Sequence, residues 1–345
     1  MATNGKSRLI LTRPDRIGDV VISSSCFEPV KRALPDVDIH FVAQPIMEPL
    51  FRTHPLLASF IPMSTNVDPT RRMESLAGQL RQLKADCIVH LHSDPEVEWA
   101  AASAEVPRRI GFRINGDKWL TESLPDLKKQ GDKHEGYYNF DLLDLLDVPA
   151  PPKLEPRIAP EIEAVRRLAK KVPAALVPGR YAVLHVGAHA SKPRLTPEYF
   201  IAIALWLINE RRLYVVLVGA EKDDQTAAAI LAGVGRAVSW IHNYSGQTDL
   251  AELAYLLRDA AVVFGRDSGP AHIAAAMGAR TVTLMLEPEQ ENSARRWTPL
   301  GDRSWVLEKP LRRGWFESRN AFALRNLHQY APEEIIDALK FALEA

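Results

Sequence analysis

The chain has 345 residues, of which 46% are apolar and 25% charged, and its 43 basic and 43 acidic side chains give a formal net charge of zero. This is a folded rather than a disordered composition, and the length exceeds one ordinary core. The charge balance gives no general attraction to nucleic acid or to an anionic membrane.

Two cysteines, Cys26 and Cys87, stand in apolar surroundings without a partner at metal-ligand spacing, so they read as small core residues in a reducing, cytoplasmic setting. The opening M-A-T-N-G-K-S-R has no apolar run behind its charges and does not read as a signal peptide. No segment approaches the ~18 uninterrupted apolar residues of a membrane span.

Taken in order, Arg8 to Thr12 is a short apolar run, Val20 to Leu34 reads as a helix ended by Pro35, and Val37 to Ala43 is β-rich. A helix is expected over Arg71 to Lys84, a strand over Asp86 to Leu91, a helix over Glu98 to Ala104 and a strand over Arg109 to Phe112. Glu135 to Leu146 is amphipathic. Val148 to Pro160 then holds five prolines among thirteen residues and reads as a linker, because proline has no amide donor and a fixed φ. Glu161 to Lys171 is expected to carry the chain across as a helix.

The alternation then restarts. Strands are expected at Tyr181 to Val186, Leu213 to Val218, Val238 to Ile241, Ala261 to Gly265 and Thr281 to Met285. Helices are expected at Pro197 to Asn209, Asp224 to Leu231, Asp249 to Asp259, Gly269 to Met277 and Pro332 to Leu343. Alternating strands and helices predict an α/β fold with two parallel, doubly wound sheets. The expected domains are 1–158 and 159–330, with a helix at 331–345 packing back toward the first domain and the proline segment acting as a hinge.

Ligands of such sheets collect beyond the carboxyl ends of the strands. Four loops lie there. R-P-D-R-I-G-D-V-V, Arg13 to Val21, places Asp19 at the start of a helix, either as a cap for its free amides or as a general base. The G-x-G-x-x-G of a dinucleotide site is absent. H-V-G-A-H-A-S-K-P-R, His185 to Arg194, offers Gly187 for close backbone approach and Lys192 and Arg194 as cations for an anion, or is a solvated loop. V-G-A-E-K-D-D, Val218 to Asp224, offers Glu221 or Asp223 to ribose hydroxyls, or starts a helix with acids. Asp267-Ser268-Gly269 turns a strand into a helix, with the amides of Ser268, Gly269 and Ala271 facing a phosphate; Asp267 either serves the site or is a cap, and His272 on the first turn either fixes the loop, touches the ligand or is a structural histidine. A basic run, Arg108, Arg109, Arg113 and Lys118, suits anionic sugars or is a solvated face.

With these residues in view the sequence resembles the ADP-heptose:lipopolysaccharide heptosyltransferases, glycosyltransferase family nine, of GT-B fold. The resemblance rests on L-T-R-P-D-R-I-G-D-V-V-I-S-S, D-C-I-V-H-L, R-R-I-G-F-R, L-V-G-A-E-K-D, Y-S-G-Q-T-D-L-A-E-L-A and F-G-R-D-S-G-P-A-H-I-A-A-A-M-G. It implies two Rossmann-like domains facing across a cleft. It also implies inverting, metal-independent transfer of heptose from ADP-heptose to an inner-core lipopolysaccharide sugar, with no cofactor and no nucleic-acid partner. The enzyme would be cytoplasmic, with peripheral contact with the inner membrane.

Asp19 matches the family's catalytic carboxylate. Gly187, Lys192, Arg194, Asp223, Asp267, Ser268, Gly269, Ala271 and His272 fall to the donor, and Arg16, Gly18, Arg109 and Arg113 to the acceptor. Three departures accompany the match: Ser268 stands for the usual threonine, K-P-R-L-T-P-E-Y-F for K-R-W-P-P-E-x-F, and T-L-M-L-E-P-E-Q for a stretch that usually ends G-P-T. The alternatives are a GT-B transferase or 2-epimerase using another nucleotide sugar, or a non-catalytic nucleotide-sugar-binding protein.

Overall fold

A computed structural model describes residues 6–64, 67–114, 118–187, 194–286, 292–309 and 317–345. The chain divides into two units, Met1–Glu161 and Ile162–Ala345.

Among the described residues of the first unit a six-stranded parallel sheet runs β3-β2-β1-β4-β5-β6. Its strands are β1 (Arg8–Thr12), β2 (Asp38–Ala43), β3 (Ser59–Pro62), β4 (Cys87–His90), β5 (Arg108–Arg113) and β6 (Glu122–Pro125). The second unit has a six-stranded parallel sheet in the order β12-β11-β10-β7-β8-β9. It is built from β7 (Tyr181–His185), β8 (Tyr214–Val218), β9 (Ile241–Asn243), β10 (Val262–Arg266), β11 (Thr281–Met285) and β12 (Ser304–Glu308). Both are doubly wound α/β sheets, as expected of the GT-B class.

The central strands are apolar runs buried on both faces. Every residue of β4, β7, β10 and β11 is buried. Helices on either side supply the covering layers, so neither face needs a polar alternation.

Three strands absent from the sequence reading, β3, β6 and β12, are half-exposed and lie at sheet edges. β3 and β6 end on Pro62 and Pro125, which an edge tolerates because one row of amides has no ladder partner. The strand expected at Val238 to Ile241 begins only at Ile241, since Gly235–Trp240 forms a 3-10 helix. A further helix, Arg319–Leu327, was also not anticipated.

The expected single helix from Val20 to Leu34 is broken into Ile17–Ser23, a 3-10 turn at Ser24–Cys26 and Phe27–Ala33. The serines explain the break. Their hydroxyls donate back to the carbonyls of Asp19 (2.9 Å), Val21 (2.6 Å) and Ile22 (2.7 Å), a pattern that bends helices. Pro29, with no amide to donate, then sits in the first turn of the restarted helix.

The proline-rich segment is not a free linker. Pro152 O accepts from Tyr137 Oη at 3.0 Å, and Arg157 N donates to Ser24 Oγ at 2.8 Å. Ala159 N and Glu161 N donate to the carbonyls of Leu50 and Pro49 at 2.9 and 3.1 Å. Leu154 is buried. The segment is a strap laid over the first unit up to its last residue.

The C-terminal helix Pro332–Glu344 was expected to pack toward the first domain. Its Ile335, Leu339 and Ala342 enter the second unit's core with Phe264, Leu284 and Leu207, and Glu344 pairs with Arg211 at 2.7 Å.

Candidate functional site

In each sheet the chain winds outward one way, returns to the middle and winds outward the other way. The return leaves a crevice where two neighbouring strands send their loops in opposite directions. In the first unit this point lies between β1 and β4, and in the second between β7 and β10. Polar residues gather at the carboxyl end of both.

At the first, β1 delivers Arg13, which is 2% exposed. Its guanidinium serves as a hub. Nε donates to Asp15 Oδ1 at 2.8 Å, Nη2 to Asp19 Oδ1 at 2.5 Å and to Glu135 Oε1 at 3.0 Å, and Nη1 to the carbonyl of Leu91, just past β4, at 3.0 Å. Lys128 Nζ lies 3.3 Å from Glu135 Oε1 and also donates to Leu91 O at 2.9 Å. His92 Nδ1 stands 3.5 Å from Asp15 Oδ2. Three carboxylates thus share two cations in a buried setting.

Burial works to lower the proton affinity of the Arg13 guanidinium. The three acids outweigh it and hold the guanidinium above its ordinary value. Asp19 responds the other way. Burial, then the neighbouring charge of Asp15, push its carboxyl up to about 6, against a smaller opposing pull from Arg13. Burial lowers Lys128.

Asp19 is the third residue of the Ile17–Ser23 helix. The N-cap is the exposed Arg16, which makes no side-chain cap bond, so the capping alternative for Asp19 does not apply. Gly18 is buried beside it. Among the described residues Oδ1 of Asp19 is committed to Arg13, while Oδ2 accepts no hydrogen bond, and the side chain keeps 9% exposure. This is a carboxylate with one anchored oxygen, one available oxygen and a proton affinity near neutrality, which is what a general base requires.

The basic run of the first unit is dispersed. Arg109 lies near the amino end of β5, away from Asp19, and donates to the carbonyls of Trp119 (2.7 Å) and Val106 (2.6 Å), so it braces a loop. Arg108 is paired with Glu122 at 2.8 Å, and Lys118 sits over the Trp119 ring. Arg113, exposed at the carboxyl end of β5, is the member on the correct edge. Glu135, Lys128 and Arg13 itself escaped sequence reasoning.

In the second unit β7 ends on His185 and β10 on Arg266, both buried. Ser268 Oγ donates to Arg266 O at 2.9 Å and lies 3.2 Å from His185 Nδ1, closing the crevice between the two strands. Burial pushes His185 down to about 4, Arg266 pushes in the same direction, and Asp223 opposes, so the ring is neutral at neutral pH. His185 is a polar residue ending a buried strand, a signal the sequence did carry.

Asp223 is 2% exposed. Oδ2 accepts from Ala220 N at 2.9 Å, and Oδ1 lies 2.9 Å from Arg194 Nη1. The carboxylate expected for ribose hydroxyls is therefore turned inward and holds Arg194 in place. Gly187 is required here by space: a Cβ on it would lie 2.5 Å from Asp223 Oδ2 and 2.9 Å from His185 Nε2. Lys192 lies outside the described residues.

The Gly269–Ala276 helix starts from an extended Ser268. The amide of Ala271, expected to face a ligand, donates to Ser268 O at 3.1 Å, whereas those of Ser268 and Gly269 have no backbone acceptor among the described residues. His272 is 3% exposed, with Nε2 3.5 Å from Asp267 Oδ1, and acts on the loop through Asp267.

No group of three or more histidine, cysteine, aspartate or glutamate side chains at metal-holding spacing occurs among the described residues, and no helix there is long and apolar enough to cross a membrane.

Comparisons with known proteins agree with this arrangement. A family model described as glycosyltransferase family 9 (heptosyltransferase) matches residues 73–313. Lipooligosaccharide heptosyltransferase 2 of Haemophilus ducreyi is 22% identical over 344 residues, covering 96% of this chain and 98% of that protein. Lipopolysaccharide heptosyltransferase 2 of Escherichia coli is 22% identical over 354 residues, with 97% and 98% covered. The solved structure of E. coli ADP-heptose lps heptosyltransferase II superposes with a TM-score of 0.78 at 20% identity, over 97% of this chain and 98% of the other. A family 9 glycosyl transferase from Veillonella parvula gives 0.78 at 17% identity, over 98% and 97%.

Proposed function

The chain belongs to glycosyltransferase family 9, the heptosyltransferases, and from that membership and the site geometry we propose that it moves heptose from ADP-heptose to an inner-core sugar of lipopolysaccharide, with inversion and with Asp19 as base. The observation that carries the reading is the state of Asp19: buried, anchored by one oxygen to Arg13, and raised to about 6.

In a single displacement the acceptor oxygen attacks the anomeric carbon as the bond from that carbon to the diphosphate breaks. Asp19 Oδ2 takes the hydroxyl proton, and ADP leaves with the bonding electron pair. Attack opposite to the leaving group inverts the anomeric centre. Charge that develops on the departing diphosphate needs donors already in place. The amides of Ser268 and Gly269, with Arg194 held by Asp223, fill that role in this proposal. Asp267, steadied by His272, takes hydroxyls of the transferred sugar. Arg113 and Arg16 are the acceptor-side cations, both exposed at the carboxyl edge of the first sheet. Lys192 joins the diphosphate group by family resemblance alone.

The test has two parts. Thermal unfolding is followed with ADP, UDP, GDP and CDP and their sugars; stabilisation by ADP compounds is expected, and a clear preference for UDP compounds removes the donor assignment. ADP-heptose is then supplied with a deacylated inner-core acceptor. The expected result is ADP release matched by a glycosylated product of inverted configuration.

A further inference from the structure

Because the second sheet is parallel, its strands all begin at one edge, opposite the edge that carries Ser268 and Arg194. Arginine marks that amino edge. Arg180, Arg280 and Arg303 immediately precede β7, β11 and β12, and Arg211 and Arg258 close the helices Pro197–Arg211 and Leu250–Arg258 that lead into β8 and β10. Four of them, Arg211, Arg258, Arg280 and Arg303, line one groove of about 550 Å³ together with Gly179 and Leu213.

Part of this charge has a local explanation. Helix carboxyl ends favour cations. Arg211 is also paired with Glu344 at 2.7 Å and Arg258 with Asp259 at 2.6 Å. Arg280 and Arg303 are different, since neither has an ion-pair partner among the described residues, and Nε of Arg280 is buried without a hydrogen bond. Two guanidinium groups without an ion-pair partner among the described residues, in a groove lined by four arginines, are available to an acceptor from outside the chain. The concentration is local, because the whole chain has equal numbers of basic and acidic side chains.

We propose that this groove is a second ligand site, separate from the transfer site, that takes a phosphate group between Arg280 and Arg303. Guanidinium forks match phosphate oxygens in pairs, and Arg211 and Arg258, already held in ion pairs, do not compete for the ligand. The groove has room for a phosphorylated solute of sugar-phosphate size, and equally for the headgroup of an anionic phospholipid.

The experiment titrates inorganic pyrophosphate into the full chain by calorimetry, with ADP present in excess to occupy an adenine-nucleotide site at the opposite edge. The wild type is expected to bind. R280Q/R303Q is expected to bind at least about a hundredfold more weakly, about tenfold per charge-assisted contact removed, and R280K/R303K, which keeps the charge but loses the forks, to fall between. Unchanged thermal unfolding confirms that the variants are folded, and the lysine pair keeps the test open if the glutamine pair is not. Co-sedimentation with phosphatidylcholine vesicles, with and without phosphatidylglycerol, separates the sources. Binding to the anionic vesicles that is lost in R280Q/R303Q assigns the headgroup, and pyrophosphate binding without vesicle binding assigns a free phosphate compound. Equal pyrophosphate binding by wild type and both variants, or no binding of either probe by the wild type, overturns the proposal.

Discussion

Nη2 of Arg13 lies 2.5 Å from Oδ1 of Asp19, and the same nitrogen lies 3.0 Å from Oε1 of Glu135. One donor group therefore fixes the orientation of the proposed base and ties it to a helix start 122 residues away from Arg13 in the chain. The carboxylate is presented by a network and not by its own helix alone, and the consequences can be measured.

Asp19→Asn keeps an acceptor for Arg13 but removes the base. Transfer is expected to fall by about 10²–10⁴-fold in kcat with little change in donor KM. Steady-state kinetics on a folded variant check this.

The raised carboxyl sets the pH profile. Asp19 works ionised, so the rate should climb as pH rises through about 6. Stability should move the other way. The folded value lies above the ordinary 3.8, so folded chains hold a proton that unfolded chains have released, and the resulting stabilisation is complete below about 4 and lost as pH rises through about 6. Urea midpoints of wild type and Asp19→Asn across that range should diverge toward neutral pH, with the variant the more stable of the two.

Arg13→Met leaves the buried Asp19 and Glu135 and the half-buried Asp15 without their shared cation. A loss of about 3–5 kcal/mol in unfolding free energy is expected, as for other broken buried pairs. Denaturant titration at neutral pH reads it, and the deficit should shrink in acid as the carboxylates protonate.

Ser268→Ala removes the hydroxyl that joins His185 to the Arg266 carbonyl, while Ser268→Thr retains it. Donor affinity is expected to drop about tenfold in the first and to be nearly unchanged in the second, measured by ADP titration. Gly187→Ala should lose more, since its new methyl meets Asp223 and His185.

Gly78→Ala serves as an opposite control. Gly78 lies within the Pro69–Leu83 helix, and a Cβ there meets nothing within 4 Å. Stability should rise by about 1 kcal/mol, seen as a shift in urea midpoint, with transfer unaffected.

The buried centre of each sheet was legible because runs such as C-I-V in β4 and Y-A-V-L in β7 are apolar whichever face is inspected. The edges were not, because S-F-I-P and E-S-L-P are half-exposed and their strand character comes from a neighbour's ladder. The same distinction governs the site. Asp19, Arg194 and Ser268 were visible from their positions in loops after strands. Glu135 and Lys128 were not, since they reach Arg13 and Leu91 only through the winding of the sheet. Arg109 misled for a related reason: a basic run in sequence alternates direction along a strand, and its members end at different edges.

The proline-rich strap changes where this protein can be cut. A fragment ended at residue 148 would leave the Leu50 and Ser24 acceptors bare and remove Leu154 from its burial, whereas one ended after Glu161 would carry its own covering with it. Proteases that seek loose backbone should pass over the prolines, and the place to split the gene into separately expressed halves is the Glu161–Ile162 bond.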